Sequence, residues 1–74
     1  MPALRENPLE EGHGMAMIDR RIGGSARRSR RRLGLGVIEV ASRMRLPWRM
    51  LDDLERGRLR WTHGLASRFI RSLQ

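Results

Sequence analysis

The sequence predicts a small all-α bundle of about four helices, arranged around a helix-turn-helix and preceded by a flexible N-terminal arm. Three observations support this prediction. Small and apolar residues recur at helical spacing between Val37 and Gly57. Glycines stand where two of the predicted helices should end. The chain has 74 residues and no cysteine, which limits it to one small domain without disulfides or a thiolate metal site.

Residues 1–24 are predicted to form the flexible arm, and residues 25–74 the folded domain. The arm carries two prolines and four glycines and shows no sustained apolar period. The Gly23-Gly24 pair is expected to break any helix formed by residues 15–22, because glycine weakens a helix interior. Ser25 is then well placed to cap the next helix.

The first helix of the domain is expected from Ala26 to about Leu33. It contains the basic run ARRSRRRL, and Gly34 follows as a left-handed residue that ends it. Its apolar side is narrow, because only Ala26, Ser29 and Leu33 fall at the right spacing. We expect it to be the least stable of the helices.

Two short helices that meet at a tight corner are predicted over residues 37–43 and from Pro47 to Glu55. Proline suits the start of the second helix, since its fixed φ and missing N–H match a first helical turn. The same spacing also fits any antiparallel helical hairpin, so it does not by itself indicate DNA binding. The inward face of the corner is predicted to consist of Val40, Ala41, Met44, Leu46, Leu51 and Leu54.

Gly57 is predicted to end the second helix of the corner, and a last helix follows. Leu59 and Trp61 are expected to close the core from the connecting loop. The last helix carries one apolar stripe, which either packs within the molecule or serves in part as a homodimer surface. The stripe consists of Leu65, Ala66, Phe69, Ile70 and Leu73.

The surplus of positive charge lies in residues 25–74, the predicted helical domain. Residues 1–24 carry three arginines and four acids, whereas residues 25–74 carry thirteen arginines and four acids. Such a surplus attracts polyanions. Duplex DNA is the polyanion for which the gain in binding free energy is largest, because the arginines release its condensed counterions. Every basic residue is arginine, whose planar fork suits phosphate and guanine. Codon usage in a GC-rich genome is the competing explanation of that bias.

The sequence has no catalytic, metal-binding or cofactor-binding pattern, so no enzyme activity, metal or cofactor is predicted. His13 and His63 are far apart and lack ligand spacing. The serines have no nucleophile context, and the glycine pairs lack the strand and lysine of a phosphate-binding loop. No apolar run reaches the roughly 20 residues that cross a membrane, and no secretory signal is apparent. A cytoplasmic location is therefore expected.

Between Ser25 and Leu59 the chain has an arginine before a Gly-Leu pair, a small residue in the corner, spaced leucines and a Glu-x-Gly element. In this combination it resembles the Cro and phage-repressor (XRE) family of helix-turn-helix domains, which implies a lambda-repressor-like fold. The resemblance further implies that the arginine pairs with the glutamate. Arg45 stands where the family usually has glycine, so a left-handed arginine is expected there. The matching residues are Arg30, Ala41, Leu46, Leu51, Leu54, Glu55 and Gly57.

The segments RLPWRMLDDLERG and SRFIRSL are most similar to the branch of this family found at the N-terminus of the bacterial cell-shape protein RodZ. The shared features are an arginine-containing turn, a proline near the second helix of the corner, the L-x-x-L-E-x-G element and a later aromatic helix. The RodZ domain binds a cytoskeletal partner rather than DNA. The resemblance therefore implies a protein partner as an alternative to DNA.

The sequence favours a sequence-specific, double-stranded-DNA-binding transcriptional regulator that reads the major groove with the helix from Pro47 to Glu55. Arg49 is the first candidate for a base contact, and Trp48 and Asp52 are secondary candidates. The predicted phosphate contacts are arginines before and after the corner: Arg27, Arg28, Arg31, Arg32, Arg58 and Arg60.

Two alternatives stay open. In the first, the domain is a protein-interaction adaptor on a RodZ-like scaffold, in which Trp48 and the Asp52-Asp53 pair contact a protein. The adjacent acids favour this alternative, because phosphates repel carboxylates. In the second, the run from Arg27 to Arg32 binds nucleic acid, including RNA, without sequence preference, and the helical corner is only a scaffold.

Overall fold

The computed structural model describes the backbone of residues 2–74 and the side chains of residues 17–74. It contains four helices: α1 (Pro2–Arg32), α2 (Val37–Met44), α3 (Trp48–Glu55) and α4 (His63–Ser72). No strand occurs in residues 2–74, which confirms the predicted all-α class with four helices. Of the arm predicted over residues 1–24, residues 17–24 belong to α1. The side chains of residues 1–16 lie outside the described part of the chain.

α1 continues through Gly23 and Gly24, so the helix break predicted there is wrong, and Ser25 lies inside the helix rather than at its cap. Each glycine in a helix interior costs about 1 kcal/mol relative to alanine. That cost is offset because Gly23 is buried against the end of α3. A Cβ on Gly23 would lie 2.5 Å from the carbonyl oxygen of Glu55, so only glycine lets the two helices approach this closely.

The corner between α2 and α3 has the predicted form. α2 ends at Met44, and the C-cap residue Arg45 has a left-handed backbone with φ 60° and ψ 44°. Leu46 then turns back and donates its N–H to the carbonyl of Ala41 at 2.9 Å. Pro47, with φ −60°, stands directly before α3, so this helix begins one residue later than predicted.

The core lies where the four helices meet, and it includes most of the predicted inward face of the corner. Leu33 and Leu59 were predicted to belong to it, but they are 54% and 38% exposed. Leu33 directly precedes the left-handed Gly34 (φ 73°), and Leu59 follows the left-handed Gly57 (φ 76°) by two residues. The buried apolar residues are Ala26, Val40, Ala41, Met44, Leu51, Leu54, Trp61 and Phe69.

Trp61 joins α1, α3 and α4, and its predicted place in the core is confirmed. Its Nε1 donates to the carbonyl of Leu54 at 2.7 Å. Its backbone N–H donates to Oδ1 of Asp19, a buried residue of α1, at 2.9 Å. The indole ring meets Phe69 edge to face at a centroid distance of 5.7 Å. Trp61 therefore closes the core between α1, α3 and α4, while Leu59 is exposed.

Thr62 caps the N-terminus of α4: its Oγ1 accepts a hydrogen bond from the N–H of Leu65 at 3.1 Å. This side-chain cap was not predicted, and His63 is an exposed residue of the first helical turn. Most of the apolar stripe of α4 packs against the core as predicted. Ile70 is the exception, since 58% of it is exposed.

Gly23→Ala and Gly24→Ala form a matched pair that tests the close approach of α1 and α3. Gly23→Ala is expected to lower the free energy of unfolding by about 2 kcal/mol or more, because the added methyl meets two backbone carbonyls. Gly24→Ala should raise it by about 0.5 to 1 kcal/mol, since its Cβ meets only the end of the Arg28 side chain at 3.5 Å. Urea denaturation measures both values, and two stabilised variants would show that the helices do not touch here.

Candidate nucleic-acid interface

Arg30 of α1 and Glu55 at the end of α3 form a buried ion pair with two hydrogen bonds. Arg30 donates from Nε to Oε2 at 2.7 Å and from Nη2 to Oε1 at 2.9 Å. Its Nη1 donates to the carbonyl of Leu35 at 2.8 Å. The two side chains are 10% and 3% exposed, so the pair expected from the sequence is present and is shielded from water.

The environment of Arg30 keeps its guanidinium charged. The hydrogen bond to Glu55 raises the pKa of Arg30, burial opposes the rise, and the charges of Glu55 and Asp52 add to it. In a buried pair the attraction is largely balanced by desolvation, whereas losing one partner leaves an uncompensated charge. The pair therefore acts mainly by holding α3 in one position against α1.

The outer face of α3 presents Trp48 and Arg49 to solvent. Trp48 is 45% exposed, and the guanidinium carbon of Arg49 lies 5.5 Å from the centroid of its ring. A cation is attracted to an indole face, so this contact restrains Arg49 near the N-terminal end of the helix. In a helix-turn-helix, the N-terminal residues of the second helix are the ones that reach base edges.

The two acids of α3 are each paired with an arginine that follows them. Asp52 Oδ2 lies 3.0 Å from Arg56 Nε, and Asp53 Oδ1 lies 3.7 Å from Arg58 Nη1. Exposed pairs of this kind add little to stability. They do balance the charge of both carboxylates, which reduces the repulsion that these acids would exert on a phosphate. Arg58, a predicted phosphate contact, is thereby engaged by Asp53.

One side of α1 carries a row of arginines along the edge of α3. Arg20, Arg27 and Arg31 are spaced i, i+7 and i+11, so they share one side of the helix. A Cβ on Gly57 would lie 2.7 Å from the Cα of Arg20, which shows that this side borders the end of α3. Arg20 was missed in the sequence analysis, although its spacing from Arg27 was the signal. The other predicted phosphate contacts are exposed elsewhere: Arg28, Arg32, Arg58 and Arg60.

Each of the five acids whose side chains are described is already bonded within the protein. Asp19 accepts from a backbone N–H, and the other four face arginines. Within residues 17–74, Arg49 and the row on α1 have no acidic partner. The surplus charge is therefore carried by arginines that an external anion can contact. The four paired acids are Glu39, Asp52, Asp53 and Glu55.

Neither histidine lies in a ligand cluster that the structure describes. His63 is exposed at the start of α4, and the side chain of His13 lies outside the described residues. In residues 17–74 no three side chains of the metal-binding types are grouped to hold an ion. Within the described residues, no helix has both the length and the apolar character needed to cross a bilayer.

No protein-family model, curated protein or solved structure matches this chain. The resemblance to the XRE family and its RodZ-like branch therefore stays a prediction. What can be inferred about function rests on the geometry of the corner, the exposed face of α3 and the distribution of paired and unpaired arginines.

Glu55→Gln and Asp53→Asn test whether the buried pair holds α1 and α3 together. Both remove one carboxylate charge from α3 at nearly constant volume. Glu55→Gln is expected to lower the free energy of unfolding by about 3 kcal/mol or more, because Arg30 is left buried and unpaired. Asp53→Asn should change it by less than about 0.5 kcal/mol, since its pair is exposed. Urea denaturation at neutral pH measures both, and equal small losses would contradict the proposed role of the pair.

Proposed function

We propose that this chain binds double-stranded DNA with sequence preference and acts as a transcriptional regulator, with α3 lying in the major groove. The observation that carries the proposal is the outer face of α3. It presents a restrained arginine at its N-terminal end, while both of its acids are balanced by arginines of the protein itself. The helix can therefore approach phosphate-lined walls without a net negative surface.

Arg49 is proposed as the main base contact. Its fork can donate two hydrogen bonds to O6 and N7 of guanine, the commonest specific contact in the major groove. The cation–π contact with Trp48 limits the number of conformations that Arg49 must lose on binding. Trp48 itself offers apolar surface to a thymine methyl group. Asp52 is the weaker candidate, since its carboxylate is already paired with Arg56 and would have to accept from cytosine N4 as well.

The row on α1 is proposed to bind phosphates beside the C-terminal end of α3. Arg27 and Arg31 are exposed and have no acidic partner within residues 17–74. Phosphate contacts of this kind supply affinity and register without reading sequence. The proposed phosphate contacts on α1 and after α3 are Arg27, Arg28, Arg31, Arg32, Arg58 and Arg60.

A homodimer through α4 is part of the same proposal. An open, mainly apolar groove of about 250 Å³ runs between α1 and α4, and Ile22 and Ile70 at its edges are 37% and 58% exposed. A symmetric dimer would cover these side chains, and reading two half-sites would require its two copies of α3 to lie about one helical turn of DNA apart. Binding to chromosomal DNA in the cytoplasm would follow from this role.

A protein-interaction adaptor is the second candidate function, and the exposed apolar residues near the corner favour it. Trp48 and Met50 of α3 are 45% and 38% exposed, and Ile38 of α2 is 65% exposed. Such side chains are typical anchors of a protein partner. Binding of nucleic acid without sequence preference is the third candidate, in which only the run from Arg27 to Arg32 takes part.

Arg49→Ala and Arg31→Ala separate the three candidates. In a selection from random duplexes at fixed salt, Arg49→Ala is expected to lose about 1 to 3 kcal/mol on preferred sites and to relax the preference at one position. Arg31→Ala should weaken all duplexes nearly equally and reduce the salt dependence of binding. Circular dichroism spectra of both variants serve as the control for folding, because both residues are exposed.

Each candidate gives a different result in this experiment. If the unaltered protein binds no duplex at low salt, the DNA proposal is overturned and the adaptor becomes the leading candidate. If the protein binds every duplex alike and Arg49→Ala changes nothing, binding without sequence preference is the correct description. Selected sites that form palindromes with half-sites about one helical turn apart would support the dimer.

A further inference from the structure

A second group of arginines lies around an open concavity of about 590 Å³ between the C-terminal ends of α2 and α4. None of these arginines belongs to the row on α1. Two come from α2 and its C-terminal turn and two from α4, so the group forms only in the folded chain. The arginines that line the concavity are Arg43, Arg45, Arg68 and Arg71.

Arg43 has a structural role within this group. It donates to a carboxylate oxygen of Glu39 at 3.0 Å and to the carbonyl of Ser72 at 2.8 Å, so it ties α2 to the end of α4. The other three arginines are exposed and have no acidic partner among the side chains that the structure describes. Arg68 and Arg71 are three residues apart and therefore project from the same face of α4. Three like charges around one concavity repel each other, and a bound anion relieves that repulsion.

The concavity lies at the opposite end of α3 from the row on α1. Arg45 precedes Trp48, the first residue of α3, by three residues, so their Cα atoms are at most about 11 Å apart. The row on α1 instead borders the C-terminal end of α3, where Arg20 lies against Gly57. Unpaired arginines thus stand beyond both ends of the helix. The major groove is about 12 Å wide and is bounded by a phosphate backbone on each side.

We propose that this concavity binds the phosphate backbone of duplex DNA on the side of the groove opposite to the row on α1. This inference rests on the proposed function and extends it by a second phosphate site, formed by Arg45, Arg68 and Arg71. The left-handed backbone of Arg45 supports it, because this conformation is unfavourable for arginine and Arg45 lines the concavity from the turn that ends α2. We propose DNA rather than a free phosphate compound as the ligand, because the concavity adjoins the N-terminal end of α3 and the row on α1 borders its C-terminal end.

The salt dependence of duplex binding tests this proposal. The logarithm of the binding constant is measured against the logarithm of the salt concentration for the unaltered protein, Arg68→Ala, Arg71→Ala and Arg21→Ala. The magnitude of the slope is expected to fall by about 0.9 for each of the two α4 variants, as for loss of one phosphate contact. Arg21→Ala is the matched control, since it removes the same charge from an exposed position of α1 outside both sites. Its slope should not change.

Three outcomes overturn the proposal, and they are distinguishable. If the unaltered protein binds no duplex, the proposed function fails and this inference fails with it. If the unaltered protein binds DNA and the α4 variants keep its slope, only this inference fails. A free-anion site is shown instead if pyrophosphate raises the melting temperature of the unaltered protein but not of the α4 variants, while their slopes for DNA stay unchanged.

Discussion

The buried pair of Arg30 and Glu55 is the constraint on which the rest of the arrangement depends. One guanidinium holds the end of α3 through two hydrogen bonds and the turn before α2 through a third, at the carbonyl of Leu35. Arg30 therefore links α1 both to the end of α3 and to the turn that precedes α2. The need for glycine at position 23 follows from this constraint. α3 is held so close to α1 that a side chain there would meet the backbone carbonyls of α3. The outer face of α3 and the arginine row on α1 keep their relative positions for the same reason.

Pairing within the protein also determines how its charge is presented. The chain has a formal net charge of +8, and each of the five acids described in the structure is bonded to a group of the protein. The sequence alone suggests that Asp52 and Asp53 make α3 an acidic helix. In the structure their charges are balanced by arginines. Their partners, Arg56 and Arg58, lie after them at the end of the helix. Arg49, at its beginning, keeps its charge available for a ligand.

The parts of the fold that depend on local spacing were predictable, and the parts that depend on distant partners were not. The order of apolar residues and glycines predicts the corner with its second helix, and it predicts the left-handed Gly34. Gly23 and Gly24 look like a helix break, because the α3 carbonyls that require a glycine lie about thirty residues away in sequence. The same limit applies to the interface. Arg49 could be proposed as a base contact from its place in a short helix, whereas the arginines around the α2 and α4 concavity converge only after folding.

The small size of the domain would link its stability to the binding of the proposed polyanion. Its buried apolar core comprises only eight residues of the described part of the chain, so the free energy of folding is expected to be modest. Repulsion among unpaired arginines opposes folding in the absence of a polyanion. A ligand that binds only the folded state adds about 2.7 kcal/mol at a hundred times its Kd. In the proposed complex with DNA, the arginines that destabilise the free protein would contact the ligand. Relief of their repulsion would then contribute to binding, and this contribution would decrease as salt screens the charges.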